Sequence, residues 1–147
     1  MPDIIDLVLK DHLKVAGLFE ELTSAKTAAR QKSLFAEVTE ALEAHATAEE
    51  KVLYPRVRKD VPEGKKEARD ATEEHDQIRE SLKEVQEHEP GTELFALAVD
   101  QLIATTKHHV GVEEEELLPD FRANSETEER AELGKRFEAA KTKTPAA

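Results

Sequence analysis

Two short stretches of the chain carry the same donor groups at the same spacing. His45-Ala46-Thr47-Ala48-Glu49-Glu50 runs on to Leu53-Tyr54-Pro55, and His109-Val110-Gly111-Val112-Glu113-Glu114 runs on to Leu117-Leu118-Pro119. Successive residues of an α-helix are about 100° apart, so a residue and its fourth successor lie within roughly 40° of one another. Each His-x3-Glu therefore aims one imidazole and one carboxylate the same way. That is how a helix presents two metal ligands.

A lone histidine precedes each stretch. Asp11-His12 stands 33 residues before His45, and Glu74-His75 stands 34 residues before His109. The chain thus reads as two half-units joined near Pro62-Glu63-Gly64. If the halves face each other, His12, His45, His75 and His109 meet Glu49 and Glu113. Nitrogen and oxygen donors of this kind suit Fe, Mn, Zn or Ni, and ligand type alone does not choose among them. Six ligands from four helices exceed what one tetrahedral Zn needs and suit a pair of octahedral ions. For any single histidine a hydrogen-bonded core residue is the plainer reading. Jointly that reading fails, because each buried polar group left unpaired costs about 1–3 kcal/mol.

The elements that would carry these residues follow from spacing. Ile5, Val8, His12, Val15, Phe19 and Leu22 form one apolar seam in steps of three and four. Phe35, Val38, Leu42, His45, Glu49 and Val52 form a second, which should stop before Pro55 because the residue before a proline is pushed out of the helical region. A loop with a possible extra turn is expected from Arg56 to Gly64. The third seam is Ala68, Ala71, His75, Ile78, Leu82 and Val85, closed by Pro90-Gly91, and the fourth is Phe95, Ala98, Leu102, Thr105, His109 and Glu113, capped by Thr92.

Ligands at one height in an up-down bundle are equidistant from the turn between them. Their midpoints fall at about residue 61, beside Val61-Pro62, and about residue 92, beside Pro90-Gly91. A third falls near residue 28 or 29, in the stretch Thr23 to Ala29, which has no Gly or Pro to mark it. The expected fold is all-α: an up-down-up-down four-helix bundle over 1–120. Residues 121–147 form a C-terminal extension, with a capping box at Ser125-x-x-Glu128, a short helix carrying Leu133 and Phe137, and a frayed tail from Lys141.

Composition narrows the function. There is no cysteine, which excludes thiolate sites and iron–sulfur clusters. A net charge of −12 opposes binding to nucleic acid or anionic membrane. The absence of a long apolar run or a signal-peptide profile makes cytoplasmic residence the expectation. His88 is expected near the surface. His108 is one step off the seam, though His108-x4-Glu113 is an alternative register. Glu50 and Glu114 are expected mainly on a solvated face, with a lesser role in orienting a histidine. Asp11 and Glu74 should face solvent or a neighbouring helix.

The pattern His12, His45-x3-Glu49, His75, His109-x3-Glu113 resembles that of the haemerythrin-like (HHE cation-binding) family over roughly residues 1–120. The resemblance implies a non-haem di-iron centre, oxo- or hydroxo-bridged, with Glu49 and Glu113 bridging and the histidines completing each iron; Zn or Mn remain open. Oxygen-carrying haemerythrins have a further histidine one turn after the third-helix histidine, where this chain has Arg79. About two coordination positions are then left for water or substrate. That favours catalase-like peroxide decomposition over reversible O2 carriage, with a guanidinium near the site able to hold an anion or a peroxide. The alternatives are a sensor or store for O2, NO or iron, and a metal-free helical adaptor. The expected partners are small molecules (H2O2, O2 or NO), and the expected state is a monomer. Tyr54, about 180° from His45 on an ideal helix, is a candidate to support the ligands from behind or to line the substrate side of the site if Pro55 turns it inward.

Overall fold

The computed structural model describes residues 2–143, and among them no β-strand forms. Helix α1 spans Ile4–Ser24, with Asp3 and Asp6 forming a reciprocal capping box at its start. Helix α2 spans Ala28–Ala48, and Thr27 accepts the Arg30 amide hydrogen at its N-terminus. The unmarked turn is therefore Ala25 to Thr27, and a threonine cap makes it.

Past Ala48 the helix does not stop. Glu49–Leu53 is a π-helical turn in which the Tyr54 amide bonds the Glu49 carbonyl, five residues back. Helix α3, Tyr54–Asp60, carries on from it with Pro55 in its first turn. The expected break before Pro55 and the loop from Arg56 are thus corrected. A proline clashes with the carbonyl four residues earlier and lacks an amide hydrogen, and a widened turn relieves the first while having no use for the second.

Helix α4 spans Gly64–Gln86. Gly64 has to be glycine, since a Cβ there would run into the Val57 carbonyl of α3. The next turn closes at Gly91, whose φ of 86° is in the left-handed region and whose amide donates to Gln31 at 2.7 Å. Helix α5 spans Glu93–Val112 behind Thr92, which accepts the Phe95 amide hydrogen. The duplicated motif repeats its backbone as well: Glu113–Leu117 is a second π-helical turn, followed by α6, Leu118–Ala123, with Pro119 in its first turn.

The seams are buried as expected except at one position. Thr106, not Thr105, faces the core, and its hydroxyl donates to the Leu102 carbonyl at 2.8 Å. The four long helices pack in a ring, α1 on α2, α2 on α4, α4 on α5 and α5 on α1. Helix α7, Thr127–Lys143, lies against α1, α2 and the first π-helical turn. It starts one step later than the Ser125–Glu128 box would have it, with Glu129 reaching back to the Glu126 amide. Ser125 instead accepts from the buried Arg130, which also binds Asp3. Lys141 belongs to the last turn of α7 rather than to a frayed tail, because Asp11 holds it; residues 144–147 lie outside the described residues.

Two apolar clusters fill the molecule. One contains Ile4, Val8, Val52, Leu53, Val57, Phe121, Leu133 and Phe137; the other contains Val15, Phe19, Leu34, Val38, Leu82, Phe95 and Leu102. His12 follows Val8 and precedes Val15, so the histidines form a polar layer between two hydrophobic ones.

Candidate metal centre

The four helices bring all six residues of the His/Glu pattern into this layer. His12, His45, His75, His109, Glu49 and Glu113 are all buried, and the two carboxylates are 0% and 1% exposed. Their donor atoms fall in two groups, His12, His45, Glu49, Glu113 and His75, His109, Glu49, Glu113. Within each group the atoms lie within 4.8 Å of one another, and both carboxylates are shared. His108 points outward and His88 lies beside Glu84 on α4, so the register is His109-x3-Glu113.

What fixes the imidazoles is a carboxylate on each Nδ1. His45 pairs with Asp11 at 2.7 Å, His12 with Glu114 at 2.7 Å, His75 with Glu50 at 2.6 Å and His109 with Glu74 at 2.8 Å. None of these partners lies on the histidine's own stretch of helix. Asp11 and Glu74, each next to one histidine in sequence, serve the other histidine of their half-unit, and Glu50 and Glu114 reach across to the opposite half. Glu50 and Glu114 are therefore orienting groups rather than a mere solvated face. An Nδ1–H held by a carboxylate leaves Nε2 as the bare donor, the arrangement found behind metal-bound histidines.

The Nε2 atoms test the fit. Those of His12, His45 and His109 are buried without a hydrogen-bond partner, as are Glu49 Oε2 and Glu113 Oε1. His12 Nε2 is 3.0 Å from Glu113 Oε1, and His45 Nε2 is 3.1 Å from Glu49 Oε1, yet neither contact is aligned as a hydrogen bond. Unpartnered donors of this kind, all facing one small space, suit a cation bound among them.

The electrostatics ask for positive charge as well. Burial works against a charged His45, but Glu49 and the Asp11 hydrogen bond outweigh it and carry the imidazole up to about 10. Burial likewise opposes a charged His109, and the nearby carboxylates of Glu113, Glu49 and Glu74 raise it to about 12. Glu49 would be pushed up by burial, yet the surrounding imidazoles, His45 foremost, hold it well below the ordinary carboxylate value. The two buried carboxylates thus need cations, and without metal they take protons on the histidines.

Tyr54 is turned fully inside. Its hydroxyl donates to Glu113 at 2.5 Å and approaches Glu49 at 3.1 Å and His75 Nε2 at 3.2 Å. The ring stacks on His75. The π-helical turn accounts for this: one extra residue in the turn rotates the rest of the helix by about 100°, which brings Tyr54 round from the outer face. Burial first, and then the charges of Glu113 and Glu49, push the phenol well above its usual value, so it keeps its proton.

Arg79 lies near the site, lining the small cavity beside the four histidines, and its guanidinium is paired with Glu50 at 3.0 Å, Asp76 at 3.1 Å and Glu43 at 3.4 Å. Sequence reasoning missed the part played by two residues of α7, Phe137, whose ring stands edge-on to His45, and Lys141, which bonds Asp11 at 2.7 Å; Asp11 faces a neighbouring helix, as expected, and holds His45 there. A small cavity of about 20 Å³ abuts all four histidines and is walled by Val15, Leu42, Ile78, Thr106 and Val110. A wider cleft of about 420 Å³ between α1 and α5 shares His12, Val15, Thr106 and Val110 with it.

Comparison with known proteins gives the family of the chain. The model of the hemerythrin HHE cation-binding domain matches residues 3–141. A Nostoc protein named DNA nickase is 33% identical over 141 residues, which are 96% of this chain and 40% of the nickase. An uncharacterized hemerythrin-like protein of Schizosaccharomyces pombe is 31% identical, covering 99% of this chain and 72% of that one. The crystal structure of a hemerythrin HHE cation-binding domain protein from Mycobacterium kansasii superposes with a TM-score of 0.87 over 97% of this chain and 86% of that one, at 19% identity. The chain belongs to the hemerythrin HHE cation-binding domain family.

Proposed function

We propose that the chain holds two iron ions, one in each donor group, and disproportionates hydrogen peroxide to water and dioxygen. The observation that carries this reading is the pair of two-histidine groups sharing both carboxylates, with buried unpartnered donors facing the same space. Paired irons, when bound, would supply the two-electron change by which one peroxide is reduced to two waters and another is oxidised to dioxygen.

The protein's own residues suit a small neutral substrate. A cavity of about 20 Å³ has room for little more than a water-sized molecule, and its walls are mostly apolar. The α1–α5 cleft beside it shares four of its lining residues and is otherwise walled in part by Phe19, Ala16 and Ile103. Tyr54 Oη keeps its proton and donates hydrogen bonds to Glu113 and Glu49, which holds the two shared carboxylates in place. Phe137 and the apolar cluster below it keep bulk water away from His45.

Metal analysis with an optical spectrum and an oxygen-release assay tests the proposal. Two irons per chain, near-ultraviolet oxo-bridge bands and dioxygen evolved from added peroxide are expected. One zinc with a featureless spectrum would overturn the metal assignment, and a stable oxygenated spectrum without turnover would make the protein a binder of O2 instead. Tyr54→Phe, which removes the hydrogen bonds that orient the two shared carboxylates, should lose about 10- to 100-fold in peroxide turnover.

A further inference from the structure

The carboxylates behind the four histidines are not equivalent. Asp11 receives Lys141 Nζ on Oδ1 at 2.7 Å while its Oδ2 holds His45 Nδ1 at 2.7 Å. Glu50 receives Arg79 Nη1 at 3.0 Å on Oε2, the same oxygen that holds His75 Nδ1. Among the described residues, no lysine or arginine pairs with Glu114 or Glu74, and besides His109 Glu74 meets the outlying His108 at 3.5 Å. Each donor group therefore contains one histidine backed by a cation-neutralised carboxylate and one backed by a carboxylate with no such partner.

An Nδ1–H donating to an unneutralised carboxylate draws electron density onto the ring and strengthens Nε2 as a ligand. A cation on that carboxylate weakens the effect. We propose that Lys141 and Arg79 are positioning residues that set the ligand strength of His45 and His75 through Asp11 and Glu50, so that each metal position has one strong and one attenuated imidazole. Helix α7 contributes no ligand, yet through Lys141 it governs one. Phe137, edge-on to His45 and beneath the Lys141 ammonium, holds that helix in place. The inference rests on the iron reading for its effect on the metals, while the chain of contacts from Lys141 to His45 stands without it.

Lys141→Met tests it, with Lys141→Arg and Asp11→Asn as controls. In the iron-loaded protein, Lys141→Met should lower the reduction potential, because His45 becomes a stronger donor and favours the oxidised metal. Asp11→Asn should raise it, and Lys141→Arg should restore the native value. In the double variant Lys141→Met/Asp11→Asn, the lysine change should add nothing to the asparagine change, since the ammonium acts only through Asp11. A merely structural role for Lys141 would move the Met and Asn variants in the same direction, and that result would overturn the proposal.

A second readout uses the metal-free chain. The His45 Nδ1–H proton resonance should shift downfield in Lys141→Met and stay put in Lys141→Arg; no shift in the Met variant would overturn the proposal as well. Failure of the native chain to take up iron would defeat the iron reading alone, and the resonance would still decide the role of Lys141.

Discussion

At the scale of single residues the centre is a contest between burial and charge. Six donors sit in a buried layer, and the two carboxylates among them hold protons on His45 and His109 in the metal-free chain, raising them to about 10 and about 12. Metal binding must displace those protons, so loading the metal-free chain with Fe(II) or Zn(II) at neutral pH should release them. Calorimetric titration in buffers of different ionisation enthalpy would count them. The same shifts set a stability profile for the metal-free form. His45 is raised from 6.5 to about 10, so its stabilisation is present in full below pH 6.5 and is lost as pH rises through about 10. Glu49 and Glu113 are depressed, so theirs is present above pH 4.5 and is lost as pH falls further. Melting of the metal-free chain should therefore be highest between these limits and fall steadily toward pH 10. The loaded protein, with neutral imidazoles on the metals, should not show that alkaline decline. His45→Ala and His109→Ala should each lose metal and melt earlier. His88→Ala should do neither, because its ring pairs with Glu84 on α4 and is not among the grouped donors.

At the scale of elements, the repeat works because each His-x3-Glu ends in a π-helical turn and a proline. The turn places Glu49 and Glu113 at its first position and brings the following residue inward, Tyr54 in one half and Leu118 in the other. Removing the extra residue, as in a deletion of Lys51, should restore an ordinary helix and carry Tyr54 about 100° out of the site. Helicity should be kept, while the loss of Tyr54 from its carboxylate partners should appear as a phenol titrating near its usual value. Gly64→Ala should destabilise by about 1–3 kcal/mol in denaturant unfolding, because its methyl would meet the backbone of α3. The six donors and three of the four seams were legible in the sequence, since imidazole and carboxylate recur at one spacing and the apolar steps run unbroken through them. The π-helical turns were not, because a hydrogen bond slipping by one residue leaves no change in composition. Among the partners of Nδ1, Glu50 and Glu114 could be named as orienting groups but not the histidine each holds, and Asp11 adjoins His12 in sequence but bonds His45 on the next helix, which only the packing of α1 against α2 decides.

At the scale of the whole molecule, charge chooses what can approach. The chain carries a net charge of −12, and acids crowd the face where α4 meets α6. There burial first, and then Asp120, Glu116 and Glu63, push Glu67 up to about 7. A polyanion is repelled by such a surface, whereas a neutral molecule such as peroxide is indifferent to it. The likeness to a protein named DNA nickase reaches over 40% of that protein's length, so the shared part is this bundle and the chemistry of nicking has to be tested on it directly. The iron-loaded chain, incubated with supercoiled plasmid at low salt, should leave the plasmid supercoiled. Peroxide turnover by the same sample should hardly change between low and moderate salt, because screening alters encounters with a charged partner and not with a neutral one. Conversion of the plasmid to open circles, lost in His109→Ala along with the metal, would mean that the bundle itself carries the nicking chemistry and that its acidic surface is no barrier.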